Sequence, residues 1–142
     1  MEPYIRKVHY YETDKMGVVH HSNYIRWFEE ARSDFFDSID ASYKDKEEKG
    51  FISPVISVSC KYRKPCYHGE KLFIYVTFEK YGNVKFSMSY KVVSCESGEL
   101  KAQGESEHCF VNTEGRVTSL KKEWPAMHER LAHFEGATTE NC

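Results

Sequence analysis

Two periods organise the hydrophobic residues of this chain. Between residues 22 and 40 (SNYIRWFEEARSDFFDSID), Tyr24, Phe28, Ala31, Phe35 and Ile39 recur at steps of four, three, four and four. That spacing gathers side chains on one face of a helix. Ile25, Trp27 and Phe36 widen the stripe, and Arg26, Glu29, Glu30 and Asp34 leave only a narrow polar side. A helix apolar over so much of its circumference is enclosed by other structure. Ser22 or Asn23 is the expected N-cap.

Elsewhere the period is two. Residues 4–11 (YIRKVHYY) are β-branched and aromatic enough for a first strand. Residues 56–63 (ISVSCKYR) alternate apolar and polar, which predicts a sheet with one covered face. Cys60 reads there as a small buried hydrophobe. Residues 71–80 (KLFIYVTFEK) are apolar on both faces, as a central or interfacial strand would be. Val84, Phe86, Met88, Tyr90 and Val92 alternate with polar residues. Leu100, Ala102, Gly104, Ser106, His108 and Phe110 form one face of a last strand, with small residues where something packs close. Turn signals separate these strands at residues 81–83, 95–99 and 112–115. The charged residues 41–51, with Gly50, predict an exposed connection. Pro125 suits the first position of a terminal helix running to about His133.

One enclosed helix followed by a run of strands predicts an α+β fold. The expected architecture is a five-stranded antiparallel sheet wrapped around the long helix, with a short C-terminal helix. It occupies residues 1–135 as one domain, and residues 136–142 are expected to form a flexible tail. Such a sheet covers only one layer, so its other face and the 71–80 strand call for a partner chain.

Composition acts mainly by exclusion. A chain of 142 residues suits one domain that buries a core without metal or disulfide help. A net charge of −2 argues against nucleic acid as the main partner. No apolar run is long enough to span a membrane, and the MEPYIRK start lacks a signal peptide's hydrophobic region, so the expected compartment is the cytoplasm. The five cysteines are odd in number and include no CxxC pair, which supports neither a disulfide framework nor a zinc site. Cys142 falls at the end, where disorder is expected.

Candidate chemistry concentrates in residues 11–24, YETDKMGVVHHSNY. Asp14 lies in a loop that abuts the helix N-terminus, where free backbone N–H groups and the helix dipole stabilise negative charge. A carbonyl pointed at those donors is polarised as an oxyanion forms. A nearby carboxylate can attack it or deprotonate a water. Gly17 lets the backbone turn and approach a ligand closely. The competing role for Asp14 is structural, since Asp before a Gly-containing turn is commonly a turn former. His20 and His21 are adjacent, and on an extended backbone their rings would point apart. A second cluster, Lys61-Tyr62-Arg63-Lys64-Pro65 with Lys71 nearby, offers cations and an aromatic ring for a phosphate-bearing carrier, or a solvated strand end.

Residues 14–32, DKMGVVHHSNYIRWFEEAR, closely resemble the signature of the hotdog-fold thioesterases of the 4-hydroxybenzoyl-CoA thioesterase family. They look nearest to the acyl-CoA thioesterases of its Tol–Pal-associated branch. The match spans Asp14, Gly17-Val18-Val19, His21, Asn23-Tyr24 and Glu30-Ala31-Arg32, and extends more weakly over residues 62–65 and Trp124-Pro125. The resemblance implies a hotdog fold, a homodimer or homotetramer with active sites between subunits, and hydrolysis of acyl-CoA to free acid and CoA. It implies Asp14 as the catalytic carboxylate, acting as nucleophile or general base. It also implies the His21 N–H as oxyanion donor, with the His21 ring assisting. Tyr11, Gly17, Asn23 and Tyr24 fall at substrate-side positions, and Arg63 and Lys64 are the candidates for CoA phosphates. Neither a metal nor a cofactor is implied. Where the family carries Tyr, Phe or Trp this chain has His20, which leaves the acyl group open. The rival readings are a thioesterase acting on acyl-acyl-carrier-protein and a non-enzymatic acyl-CoA-binding hotdog module.

Overall fold

The computed structural model describes residues 1–140; Cys142 lies outside them. Strands β1 (Tyr4–Lys7), β2 (Val55–Tyr62), β3 (Lys71–Tyr81), β4 (Lys85–Ser94) and β5 (Leu100–Cys109) form one antiparallel sheet in the order β1-β3-β4-β5-β2. Helix α1 (Ser22–Ser38) lies across its inner face. Trp27, Phe28, Ala31, Phe35 and Phe36 of α1 are buried against Leu72, Ile74, Val76 and Phe78 of β3 and Phe86, Met88, Tyr90 and Val92 of β4. The period-two pattern places those strand residues on one face. Burying one such large apolar side chain is worth about 1.5–3 kcal/mol, and a helix inside a protein draws most of its stability from such packing rather than from intrinsic propensity. Tertiary packing therefore holds α1 in place. The small residue expected mid-strand is Gly104, and what packs on it is Phe28, which stacks on Tyr90 at 4.5 Å.

A polar chain threads the core beneath α1. Arg32 Nε donates to the Tyr43 hydroxyl (2.6 Å) and its Nη1 to Tyr90 (3.0 Å). Tyr90 shares a hydrogen bond with Ser106 (2.6 Å), and Ser106 with His108 Nε2 (2.7 Å).

Several sequence expectations change here. The first strand ends at Lys7, because His9 and Glu12 close a 3₁₀ turn over Tyr10–Glu12. The exposed connection of 41–51 contains helix α2 (Tyr43–Glu48), capped by Ser42, with Lys46 buried on its inner side. A one-turn helix, α3 (Leu120–Glu123), precedes α4, which spans Pro125–His133 as expected. β2 has no fully buried face: Val55, Ile56 and Val58 are exposed and Cys60 is half-buried, because only the end of this edge strand, at Cys60 and Tyr62, meets α1 and the loop before it. β3 sits next to the opposite edge, its outer Phe73 and Tyr75 half-buried. The segment expected to hang free from Gly136 runs beside β3 beyond the end of β1. Phe78 N–H donates to the Ala137 carbonyl (2.8 Å), and Val76 N–H to Thr139 Oγ1 (2.8 Å).

Candidate active site

The loop into α1 is built on a buried carboxylate. Glu12 is 3% exposed. Its Oε1 accepts from the His9 N–H (2.9 Å) and Arg6 Nη1 (2.7 Å), and its Oε2 from Arg6 Nη2 and Trp27 Nε1 (both 2.9 Å). Arg6 Nε reaches on to Glu30 of α1 (2.9 Å). Burial alone would raise the Glu12 pKa, but hydrogen bonds from His9, Trp27 and Arg6 outweigh it and hold the carboxyl below its usual range. The Glu12 backbone carbonyl accepts from the His20 N–H and from Asn23 Nδ2 (both 2.9 Å). One residue thus ties the start of the loop to its end and to the first turn of α1.

At the loop tip Asp14 N–H donates to the Val18 carbonyl (2.8 Å) and Gly17 N–H to the Asp14 carbonyl (3.0 Å). Gly17 has φ +80°, a conformation that favours glycine, and it supplies the turn at the loop tip. Asp14 Oδ1 accepts from Met16 N–H (2.8 Å) and Val18 N–H (3.4 Å). That is the turn-forming role, and it uses one oxygen. Oδ2 has no partner among the described residues.

Asp14 borders a cleft of about 390 Å³. Residues 18–21 and Tyr24 share its first wall, and residues 62–65 form the second. The N-cap of α1 is His21 rather than Ser22 or Asn23, and its side chain makes no capping bond. The Ser22 hydroxyl is held by His20 Nδ1 (2.8 Å), and that nitrogen also faces the Ser22 N–H (3.3 Å). The two imidazoles do not diverge: their centroids lie 4.2 Å apart, because His21 already has helical φ and ψ. Among the described residues no acceptor meets the His21 N–H.

The second wall is fastened to the first. Val19 N–H donates to the Cys66 carbonyl (2.9 Å), and the Tyr62 hydroxyl to the His21 carbonyl (3.1 Å). Burial and the nearby Cys60 push the Tyr62 pKa up to about 12, so it remains a donor. The N–H groups of Arg63 and Lys64 both donate to the Lys101 carbonyl (2.8 and 3.0 Å). Lys101 Nζ in turn holds the Pro65 carbonyl (3.0 Å) and pairs with Glu70 (3.2 Å). Two cations are therefore displayed at the rim by a braced backbone.

Of the residues singled out from sequence, Asp14, His21, Tyr24, Arg63 and Lys64 meet in this cleft. Tyr11 does not; it is 78% exposed and stacks on His9. Asn23 turns its amide into the loop, to Glu12 and to the His20 carbonyl (3.3 Å), and lines no part of the cleft. Sequence reasoning passed over Glu12, Arg6 and Trp27. Their signal was faint: a second acid two residues before Asp14, and an indole inside an apolar stripe. Tyr62 was visible as the aromatic among the cations, without its contact to His21. Among the described residues no three His, Cys, Asp or Glu side chains gather as a metal site would require, and no helix is long and apolar enough to cross a membrane.

Residues 8–134 match the family described as the thioesterase-like superfamily. YneP of Bacillus subtilis strain 168, provisionally named an acyl-CoA thioesterase, is 33% identical over 123 residues, 86% of this chain and 88% of that protein. The 1,4-dihydroxy-2-naphthoyl-CoA hydrolase of Synechocystis is 25% identical over 92% of this chain and 96% of its own. The crystal structure of a DHNA-CoA thioesterase from Staphylococcus aureus superposes with a TM-score of 0.88 at 33% identity, covering 93% of this chain and 89% of that one.

Proposed function

The chain belongs to the thioesterase-like superfamily, and we propose that it hydrolyses acyl-CoA thioesters to free acid and CoA thiol. The fold is the hotdog, with α1 as the enclosed helix. The observation that carries the reading is that one cleft is lined both by Asp14, whose Oδ2 is free, and by His21, whose N–H is unclaimed. In this reading the thioester carbonyl oxygen docks at the His21 N–H at the start of α1. Negative charge that develops on that oxygen in the tetrahedral intermediate is stabilised there. Asp14 Oδ2 either attacks the carbonyl carbon, giving an anhydride that water then cleaves, or takes a proton from the attacking water. In both routes the C–S bond breaks, the thiolate leaves as CoA and takes up a proton, and one water is consumed to release the free acid and restore Asp14. In this reading Arg63 and Lys64, which line the same cleft, take the phosphates of CoA, Lys64 exchanging its 3.6 Å pairing with Glu99 for them. The relatives named for CoA thioesters support CoA as carrier, and the resemblance of residues 14–32 is the support for a Tol–Pal-type branch.

The same reading makes the working unit a homodimer or homotetramer with the cleft completed by the neighbour. Its support is β2, an edge strand with unpaired backbone on one side and exposed Val55, Ile56 and Val58, a surface that pairs with another chain unless covered. A monomeric mass in solution at working concentration would refute it. The function itself is tested by Asp14→Asn. We expect kcat on a matched series of short, long and aromatic acyl-CoAs to fall by about 10³-fold or more, with KM and folding nearly unchanged. Parent-like turnover by the Asn variant sinks the reading.

A further inference from the structure

The oxyanion donor assigned to His21 belongs to a peptide unit whose other end is the His20 carbonyl. In a trans peptide the C=O and N–H point in opposite directions, and no cis bond occurs here. Whatever holds the His20 carbonyl therefore aims the His21 N–H. Two groups hold it, and both belong to Asn23: the backbone N–H at 3.0 Å and Nδ2 at 3.3 Å. The same Nδ2 donates to the Glu12 carbonyl (2.9 Å), which also receives the His20 N–H (2.9 Å). The side chain thus bridges the His20 carbonyl, in the donor's own peptide, to the Glu12 carbonyl, and so anchors the donor to the most heavily braced residue of the loop. Donation to a carbonyl also polarises the N–H of its own peptide, which makes it a stronger donor.

We infer that Asn23 is a positioning residue for the reaction: its amide fixes the direction of the His21 N–H and strengthens it, without touching the substrate. This rests on the thioesterase reading above. An Asn at this place is not interchangeable with Asp, whose carboxylate would face the Glu12 and His20 carbonyls with no proton to offer. Serine, which can donate one bond, retains part of the function.

The test uses Asn23→Ala, with Asn23→Ser as the conservative variant. Ångström-scale misaim of a catalytic group costs on the order of 100-fold in rate. For Asn23→Ala we therefore expect kcat to fall about 10–100-fold while KM stays within about threefold. Asn23→Ser should lie between Ala and the parent. The spectroscopic arm uses acyl-CoA labelled with carbon-13 at the thioester carbonyl, bound to the Asp14→Asn protein. Its carbonyl stretch should shift to lower frequency on binding, and added Asn23→Ala should return it towards the free value. A purely structural role for Asn23 would lower the melting temperature and leave that shift in place. In the free protein the His21 amide resonance should move in Asn23→Ala and recover in Asn23→Ser. Parent-like kcat in Asn23→Ala, a retained carbonyl shift, or an unmoved His21 amide each overturns the inference. If the parent itself cleaves no thioester, the functional reading fails separately, and the amide resonance still decides the role of Asn23. If Asn23→Ala does not fold, the serine variant carries the same comparisons.

Discussion

Replacing Glu12 by Gln changes few atoms and tests the bracing of the loop. The carboxylate receives four N–H donors, two on each oxygen. A glutamine amide can present its oxygen to only one of those pairs, so its NH₂ meets two donors whichever way it turns. Removing one partner of a buried charge pair costs about 3–5 kcal/mol. Arg6 keeps its bond to Glu30 at 2.9 Å, which eases the loss, so we expect roughly 2–4 kcal/mol. For a chain of this length that is a fall in melting temperature of roughly 6–16 °C. Urea titration at fixed protein concentration should show a lower midpoint with an unchanged slope. The pH dependence supplies a second arm. The folded carboxyl titrates below its unfolded value, so its contribution is present in full above the unfolded pKa of about 4.3 and disappears as pH falls through the folded value. The stability gap between parent and Glu12→Gln should be constant from neutral pH to about pH 5 and should close in stronger acid. A gap under about 0.5 kcal/mol at pH 7, or one that widens in acid, refutes the reasoning.

Two further predictions concern the core. An alanine at Gly104 would overlap the Ser59 carbonyl oxygen of paired strand β2 and set its Cβ 2.5 Å from Phe28 Cε2; Gly104→Ala should cost about 1–3 kcal/mol or more by thermal or urea unfolding, and a variant as stable as the parent would contradict the packing described. Lys46 is 1% exposed, its Nζ has no hydrogen-bond partner among the described residues, and it lies 3.7 Å from the Phe36 ring centroid. Burial, and then Arg32, lower its pKa to about 7. The unfolded chain then binds the extra proton between about pH 7 and 10, so parent stability should rise with pH across that window. Lys46→Met should lack that rise and be more stable at pH 7 by at least about 1 kcal/mol; equal pH slopes in urea titrations would rule this out.

The periods carried much of the architecture because they record local demands. Residues 22–38 form the helix that steps of three and four predict, and Pro125–His133 forms the terminal one. Gly104 marked a close approach because nothing larger fits under Phe28. What the pattern missed had nonlocal causes. The first strand ends early because Glu12 captures the His9 N–H, and α2 hides behind a charged sequence because Lys46 lies across Phe36. Alternation in β2 records a face that this chain alone does not cover.

The candidate site divides in the same way. Asp14, Gly17 and His21 were legible in one short stretch, because a turn and a helix start are specified by neighbours in sequence. The resemblance carried by residues 14–32 added their expected roles. Only the tertiary structure brought residues 62–65 across the cleft, turned Tyr11 away, and set the Asn23 amide against the Glu12 and His20 carbonyls. The reason is physical: the periodicity of a sequence records which side chains an element must bury, whereas the direction of one N–H depends on partners that folding alone brings within hydrogen-bond reach.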